Sequence, residues 1–306
     1  MNARQIDVNG ISRGRRVLSV KKEILMHIDT AIRRTTVTTS HGSIAIQENG
    51  AGATTVLFIH GNSSCGDVFQ HQLRGSLARS HRLIALDLPG HGQSDNALDP
   101  SRTYSRSGFA DAAVELLHEL GISEAVVVGW SLGGHIGIDM LTRFQGMRGL
   151  MIVGAPPVGR DTMREGFMGL PQTGAAGRKT LSDADIDGFM QATFGERPAF
   201  LRYAILRSDG RFREHLFQAM RADDYADDYT DQRTTVKNSA VSIAVLNGAD
   251  DQVINLDYVD RVAYGNLWEG RCHRIAGSGH APFWQQAQRF DRLLARFLDD
   301  VTPKLD

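Results

Sequence analysis

The sequence predicts an α/β fold, with a mostly parallel central sheet flanked by helices and interrupted by a helical insert. Short apolar runs bounded by glycine alternate with helix-like stretches, and this alternation stops over residues 157–235 before it resumes. Such runs are typical of strands buried on both faces, and strands that alternate with helices form parallel sheets through right-handed crossovers. We therefore expect a core of residues 32–156 and 236–306 and a helical cap over residues 157–235.

The predicted strands begin after residue 31. The segment "TTVTTSHGSIAIQENG" has the pattern of two strands joined by a turn at His41-Gly42. Residues 1–31 carry several arginines and lysines but lack the uninterrupted apolar run of a secretory signal, so we expect a poorly ordered extension there. The later, buried strands are predicted within "TTVLFIHG", "HRLIALDLPGHG", "EAVVVGW", "RGLMIVGA", "SIAVLNG" and "CHRIAG".

Helices are predicted between these strands. Apolar residues recur at helical spacing over Ser105–Leu120, and a second helix is expected over Leu132–Arg143. Two more are expected near Leu256–Tyr264 and over Phe283–Leu298, the last with an amphipathic pattern. Residues 157–235 hold six of the 13 phenylalanines and four of the nine methionines. This composition favours short helices around an apolar pocket that accepts flexible substrate chains.

Composition and charge argue against several classes of function. The 306 residues are 42% hydrophobic and 23% charged with a formal net charge of −1, which is typical of globular proteins and gives no basic field for nucleic acid or acidic lipid. No apolar run approaches the roughly 20 residues of a membrane span. The two cysteines, Cys65 and Cys272, have no disulfide or zinc spacing, so we expect a soluble cytoplasmic protein that binds neither nucleic acid nor membranes.

The segment Gly129-Trp130-Ser131-Leu132-Gly133 fits the pattern G-x-S-x-G at the point where a buried strand meets a helix. In this context the pattern predicts a nucleophile elbow, a strained turn that holds the serine hydroxyl where it can attack a carbonyl. Glycine is expected two residues to either side, because larger side chains would collide as strand and helix close together. Ser131 is therefore the candidate nucleophile.

A serine nucleophile requires a base and an acid, and in this architecture the acid precedes the histidine along the chain. Of the 11 histidines, His280 lies in "GSGHAPF", the Gly-rich loop after the last predicted strand, and is the predicted base. We expect the others to have packing or surface roles. The acid lies in "NGADDQVINL": Asp251 has the usual register, three residues after Gly248, and Asp250 is the alternative.

The sequence also predicts groups that bind the oxyanion and the substrate. The backbone N–H of Leu132, directly after the nucleophile, and that of Asn62, in "HGNSS" after a buried strand, are expected to form the oxyanion hole. Apolar residues beside the nucleophile and in the insert are candidates for substrate binding: Trp130, Phe189, Met190 and Phe194.

Together these motifs resemble the α/β-hydrolase family from about Thr35 to Leu298. The segments "IHGNSS", "DLPGHGQS", "GWSLGGHIGI", "MRGLMIVGAPPV", "GNLWEG" and "GHAPF" are similar to the AidH-type N-acyl-homoserine lactonases, the quorum-quenching branch of that fold. The resemblance implies a serine esterase with a catalytic triad that opens a homoserine lactone ring and needs no metal or other cofactor. The chain departs from this branch in its N-terminal extension and in the insert, which shapes acyl-chain preference.

Alternatives remain open within this resemblance. A general carboxylesterase and a hydrolase of carbon–carbon bonds would share the triad, and some receptors for small lactones on this fold retain one. Each of these functions has a small acyl lactone or ester, or a related molecule, as its partner. A metal-dependent lactonase is not expected, because the H-x-H of its ligand cluster occurs nowhere in the chain.

Overall fold

The structure of the chain is a computed structural model that describes residues 31–169, 176–221 and 231–302, without the side chains of residues 219–221. Residues 1–30 of the expected N-terminal extension lie outside the described residues. Within the described ranges, one sheet contains the strands β1 (Arg33–Thr39), β2 (Gly42–Asn49), β3 (Thr55–Ile59), β4 (Arg82–Leu86), β5 (Ala125–Trp130), β6 (Met147–Val153), β7 (Ser242–Gly248) and β8 (His273–Ile275).

The sheet is mostly parallel, as the sequence predicts. The strand order is β1-β2-β4-β3-β5-β6-β7-β8, in which β2 pairs antiparallel with β1 and with β4. The other neighbouring strands pair in parallel. The carboxyl ends of β3, β5, β6, β7 and β8 therefore meet along one edge, which is where open α/β sheets place their sites.

Both faces of the central strands of the sheet are buried. Along β3 the side chains alternate between two apolar clusters, with Leu57 and Ile59 in one and Val56 and Phe58 in the other. The alternation follows from the two-residue period of a strand. Because neither face meets water, the central strands are continuous apolar runs in the sequence, and this is the feature from which the fold class is predicted.

Helices cover the two faces and fill the segment between β6 and β7. Among the described residues, no helix combines the length and apolarity needed to cross a membrane. Short 3₁₀ helices span Gly66–Phe69, Ser76–Arg79 and Trp268–Gly270. The α-helices are α1 (Gln70–Leu73), α2 (Pro100–Thr103), α3 (Arg106–Glu119), α4 (Leu132–Met140), α5 (Met163–Gly166), α6 (Asp183–Phe194), α7 (Ala199–Arg207), α8 (Gly210–Arg221), α9 (Gln232–Asn238), α10 (Leu256–Arg261), α11 (Pro282–Gln285) and α12 (Ala287–Val301).

The helix predicted over Phe283–Leu298 is wrong as one continuous element. Gln286 interrupts it with φ −134° and ψ 47°, so that α11 and α12 are separate helices. The preceding residue, Gln285, accepts a hydrogen bond from the backbone N–H of Gly279 and donates one to the carbonyl oxygen of Phe194. Both partners lie outside α12. The apolar spacing from which the helix is predicted gives no information about such contacts.

Candidate active site

Ser131 lies in the sharp turn between β5 and α4. Its backbone has φ 54° and ψ −117°, a conformation that residues with a side chain adopt only where the surrounding structure imposes it. The backbone N–H of Ser131 donates to the carbonyl oxygen of Val153 at the end of β6, at 2.8 Å. The strained turn predicted for a nucleophile elbow is therefore present, with the serine at the edge where the strand ends meet.

The two glycines of the motif are required by contacts with backbone atoms. A Cβ atom on Gly129 would lie 2.2 Å from the carbonyl oxygen of Gly133, and a Cβ atom on Gly133 would lie 2.1 Å from the carbonyl oxygen of Ile59. Backbone atoms cannot move aside as a flexible side chain would. The G-x-S-x-G spacing is thus required because β5, α4 and the end of β3 approach one another closely.

The structure brings His280 and Asp251 together. His280 follows β8 and Asp251 follows β7, and the Nδ1 atom of the imidazole lies 2.9 Å from Oδ2 of the carboxylate, with both side chains buried. The other carboxylate oxygen of Asp251 accepts hydrogen bonds from the backbone N–H groups of Val253 and Ile254. The alternative acid, Asp250, is exposed.

The environment of Asp251 keeps its carboxyl ionised at neutral pH. Burial alone would raise the pKa of this group, but the charge of His280 and the hydrogen bonds from His280, Val253 and Ile254 outweigh it, so that the pKa lies below its ordinary value. An ionised carboxylate accepts the hydrogen of Nδ1. The tautomer that results leaves Nε2 of His280 as the proton acceptor.

Gly154 and Trp130 contact His280, and Asn247 in turn holds Gly154 in place. The ring lies against Gly154, where a Cβ atom would be 2.8 Å from Cε1 of the imidazole. The indole N–H of Trp130 donates to the carbonyl oxygen of His280 at 2.8 Å, and the backbone N–H of Gly154 donates to Oδ1 of Asn247 at 2.9 Å. Within the described part of the chain, the buried Nε2 of His280 has no hydrogen-bond partner, which suits an atom that accepts a proton during a reaction.

Sequence reasoning missed Gly154 and Asn247 as residues of the site. Gly154 has φ +62° and directly follows β6, so a glycine at the carboxyl end of a predicted strand was the available signal. Asn247 is a buried polar residue inside β7, in the otherwise apolar run "SIAVLNG". A buried amide in such a strand requires a hydrogen-bond partner, and here the partner is the turn beneath the histidine.

The loop after β3 lies beside the serine. A Cβ atom on Gly61 would be 3.2 Å from Cβ of Ser131 and 2.9 Å from the Trp130 ring. Leu132 is the first residue of α4, where backbone N–H groups have no partner inside the helix. Among the described residues, neither Leu132 nor Asn62 donates its backbone N–H to a backbone carbonyl oxygen.

A match over most of the chain shows its family. Residues 56–293 match the family described as "Alpha/beta hydrolase family". The chain belongs to this family. The predicted fold class is thereby confirmed, and the elbow, the His280–Asp251 pair and the loop after β3 occur in an α/β hydrolase.

Solved structures of one protein are especially similar to this hydrolase. A structure of "N-acyl homoserine lactonase AidH", as a variant in complex with N-hexanoyl homoserine, is 45% identical, with a TM-score of 0.86 over 90% of this chain and 99% of that one. A serine-to-glycine variant of AidH in complex with N-hexanoyl homoserine lactone is 44% identical, with a TM-score of 0.85 over 89% of this chain and 99% of that one. The predicted resemblance to the AidH branch is confirmed.

Curated relatives of this hydrolase are more distant in sequence. The "AB hydrolase superfamily protein YisY" of Bacillus subtilis (strain 168) is 24% identical over 85% of this chain and 97% of its own length. A "2-hydroxy-6-oxononadienedioate/2-hydroxy-6-oxononatrienedioate hydrolase" of Pseudomonas sp is 26% identical over 84% of this chain and 92% of its own. The hydrolase therefore matches each of them over nearly their whole length.

The apolar residues predicted to bind substrate are buried in this hydrolase. Trp130, Phe189, Met190 and Phe194 all belong to one of the two core clusters. Phe194 meets Trp130 edge to face, with ring centroids 5.6 Å apart, and the Trp130 ring lies 5.8 Å from that of His280. The structure thus brings Trp130 and Phe194 together beside the histidine and places Phe189 and Met190 in the surrounding packing.

Besides His280, the histidines His60 and His91 are fully buried and His135 is half-buried, and all three are neutral at pH 7. His60 accepts a hydrogen bond at Nε2 from the backbone N–H of Leu88, and its Nδ1 lies 2.7 Å from the carbonyl oxygen of Gly61, so it links the loops that follow β3 and β4. Burial lowers the pKa of His60 to about 4 and that of His135 to about 4, and it lowers the pKa of His91 well below its ordinary value. Protonation of these rings therefore opposes folding.

We expect the free energy of unfolding to fall as the pH drops from 6.5 toward 4. In this window the unfolded chain binds protons at His60, His91 and His135 that the folded protein does not bind, so each histidine costs up to about 1.4 kcal/mol per pH unit. Urea unfolding between pH 7.5 and 4.5 measures the slope. His135→Gln should reduce it, whereas His118→Gln, at an exposed position, should not; equal slopes in H135Q and the wild type would contradict this account.

Proposed function

We propose that this chain is a metal-independent serine hydrolase that opens the lactone ring of N-acyl-homoserine lactones. The observation that carries the proposal is its 45% identity to AidH across 90% of the chain. The buried His280–Asp251 pair beside the strained Ser131 turn supports it, because this is the machinery that acyl transfer to a serine requires.

In the proposed mechanism Nε2 of His280 takes the proton of the Ser131 hydroxyl as the serine oxygen attacks the lactone carbonyl carbon. The carbonyl oxygen becomes an oxyanion and is bound by the backbone N–H groups of Asn62 and Leu132. When the carbon–oxygen bond of the ring breaks, the ring oxygen takes the proton from His280. Asp251 remains ionised throughout and stabilises the imidazolium.

Water completes the reaction. His280 accepts a proton from a water molecule as that water attacks the acyl-enzyme, and the proton returns to Ser131 as the N-acyl-homoserine leaves. A direct attack on the lactone by water activated at His280 would use the same groups without the acyl-enzyme. The two routes give the same product. They differ in whether water attacks the lactone itself or the ester on Ser131.

We further propose that residues 157–235 form a cap over the site and that its apolar side chains receive the acyl chain. Phe189, Met190 and Phe194, together with Trp130, are the proposed lining residues, supported by the contact of Phe194 with Trp130 beside His280. We place the reaction in the cytoplasm, since Cys65 and Cys272 are free thiols that suit a reducing compartment.

The test is turnover of N-hexanoyl-homoserine lactone followed by mass spectrometry, with Ser131→Ala beside the wild type. We expect a product heavier by one water that closes again to the lactone in acid, and a loss of about 10⁴- to 10⁶-fold in kcat for S131A. A simple aryl ester serves as the second substrate, because every function built on this triad shares that activity.

Other outcomes would replace the proposal. Ester cleavage without lactone turnover would identify a carboxylesterase or a carbon–carbon bond hydrolase, and the 26% identity to a Pseudomonas hydrolase makes the latter the second candidate. Tight binding of the lactone with almost no turnover would identify a receptor.

A further inference from the structure

Arg213, on α8 in the helical insert, carries a buried charge that the proposed mechanism does not use. The residue is 3% exposed. Its guanidinium donates three hydrogen bonds to neutral acceptors: to the carbonyl oxygens of Arg178 at 2.6 Å and Lys179 at 2.8 Å, and to Oγ of Ser63 at 2.9 Å. One of these three bonds reaches the loop after β3, beside the nucleophile.

The charge of Arg213 is not neutralised within the described part of the chain. No carboxylate there forms an ion pair with it, and burial lowers the pKa of the guanidinium while the more distant Asp209 raises it. By contrast, Arg211 on the same helix is exposed and pairs with Asp209 at 2.6 Å. Burying a cation costs free energy, so the three hydrogen bonds that Arg213 donates must compensate for its lost hydration.

The hydrogen bonds continue from Arg213 to Asn62. The Ser63 hydroxyl donates to Oδ1 of Asn62 at 2.7 Å, and Nδ2 of Asn62 donates to the carbonyl oxygen of Ala176 at 3.2 Å. Ser63 has φ 54°, a conformation that a serine holds only under external constraint. The chain of bonds from Arg213 supplies that constraint on the residue that directly follows Asn62.

We propose that Arg213 is a positioning residue for the oxyanion hole: acting through Ser63, it fixes the strained loop so that the backbone N–H of Asn62 points at the oxyanion. The guanidinium is the donor at one end of this series of hydrogen bonds, and the side-chain amide of Asn62 is at the other. The inference rests on the proposed function, because it assigns Asn62 its part in acyl transfer. It also predicts that the insert influences kcat and not only substrate affinity.

The experiment compares Ser63→Ala, Arg213→Lys and the double variant with the wild type. Arg211→Lys is the matched control, since it makes the same change on the same helix at an exposed ion pair. The readouts are kcat and KM for N-hexanoyl-homoserine lactone and for 4-nitrophenyl acetate, together with the Kd of an alkylboronic acid that forms a tetrahedral adduct on a serine nucleophile.

We expect S63A and R213K each to lower kcat about 10- to 100-fold on both substrates with KM within about twofold, since loss of a whole oxyanion donor costs about 10²- to 10³-fold. Boronate affinity should fall by the same factor as kcat. The double variant should be no slower than the slower single variant, because both changes break one chain of contacts. R211K should retain wild-type constants.

Three results would overturn the inference: unchanged kcat in S63A, additive losses in the double variant, or a lower Tm and higher KM in R213K with boronate affinity intact. S63A keeps the inference testable if R213K fails to fold, because it leaves the bonds of Arg213 to Arg178 and Lys179 in place. Absence of lactone turnover in the wild type would overturn the proposed function alone, since the ester and the boronate still report on the oxyanion hole.

Discussion

Asp251→Asn is expected to lower kcat for lactone opening about 10⁴-fold with little change in KM. The carboxylate of Asp251 accepts the hydrogen of Nδ1 of His280 at 2.9 Å. An asparagine that kept its oxygen on the N–H groups of Val253 and Ile254 would turn its amide nitrogen toward Nδ1 and donate to it. The proton of the imidazole would then lie on Nε2, which could no longer deprotonate Ser131.

The control for this prediction is the neighbouring residue. Asp250→Asn removes the same charge one position away, at an exposed side chain, and should change kcat less than about twofold. Steady-state kinetics of both variants, with circular dichroism to verify folding, gives the answer. A large loss in D250N with activity retained in D251N would assign the acid to Asp250 and reject the contact with His280 as the functional one.

Gly154→Ala is expected to lower kcat about 10²-fold or more while the protein stays folded. A Cβ atom at this position would lie 2.8 Å from Cε1 and 2.9 Å from Nδ1 of His280, so the imidazole must shift from the position in which it contacts Asp251. A displacement of about 1 Å in a reacting group is enough for a loss of this size. Kinetics on the lactone and on an aryl ester should show the same loss, since both reactions use the base.

Gly121→Ala is the matched control for Gly154→Ala. The two glycines have nearly equal φ values, +68° and +62°, so alanine meets the same backbone strain of roughly 1–2 kcal/mol at either position. At Gly121 no atom lies within 4 Å of the added Cβ. Both variants should therefore show the cost of this strain in urea unfolding, and only G154A should lose activity. Equal activities would show that His280 tolerates the contact.

The sequence by itself determined the fold class and the position of the strained turn at Ser131. Buried parallel strands have no polar face, so each of them is recognisable as an apolar run such as "TVLFI" in β3. The elbow is recognisable because Gly129 and Gly133 stand where any Cβ atom would strike backbone. In both cases packing restricts which type of residue can stand at a given position. Residue types are read directly from the sequence.

The tertiary structure alone decided which side chains meet at the site. Asp250 and Asp251 are the same residue type at adjacent positions, and only the placement of β7 against β8 buries one of them on His280 and leaves the other exposed. The indole N–H of Trp130 donates to the carbonyl oxygen of His280, a contact between residues 150 positions apart that the sequence does not predict.

The contact of Arg213 with Ser63 likewise joins residues 150 positions apart. A sequence names the groups that are able to form such bonds, but many equivalent donors and acceptors compete for each one. The choice among them is made when the sheet, the loop after β3 and the insert pack together, because packing then fixes which polar groups are excluded from water and must find one another.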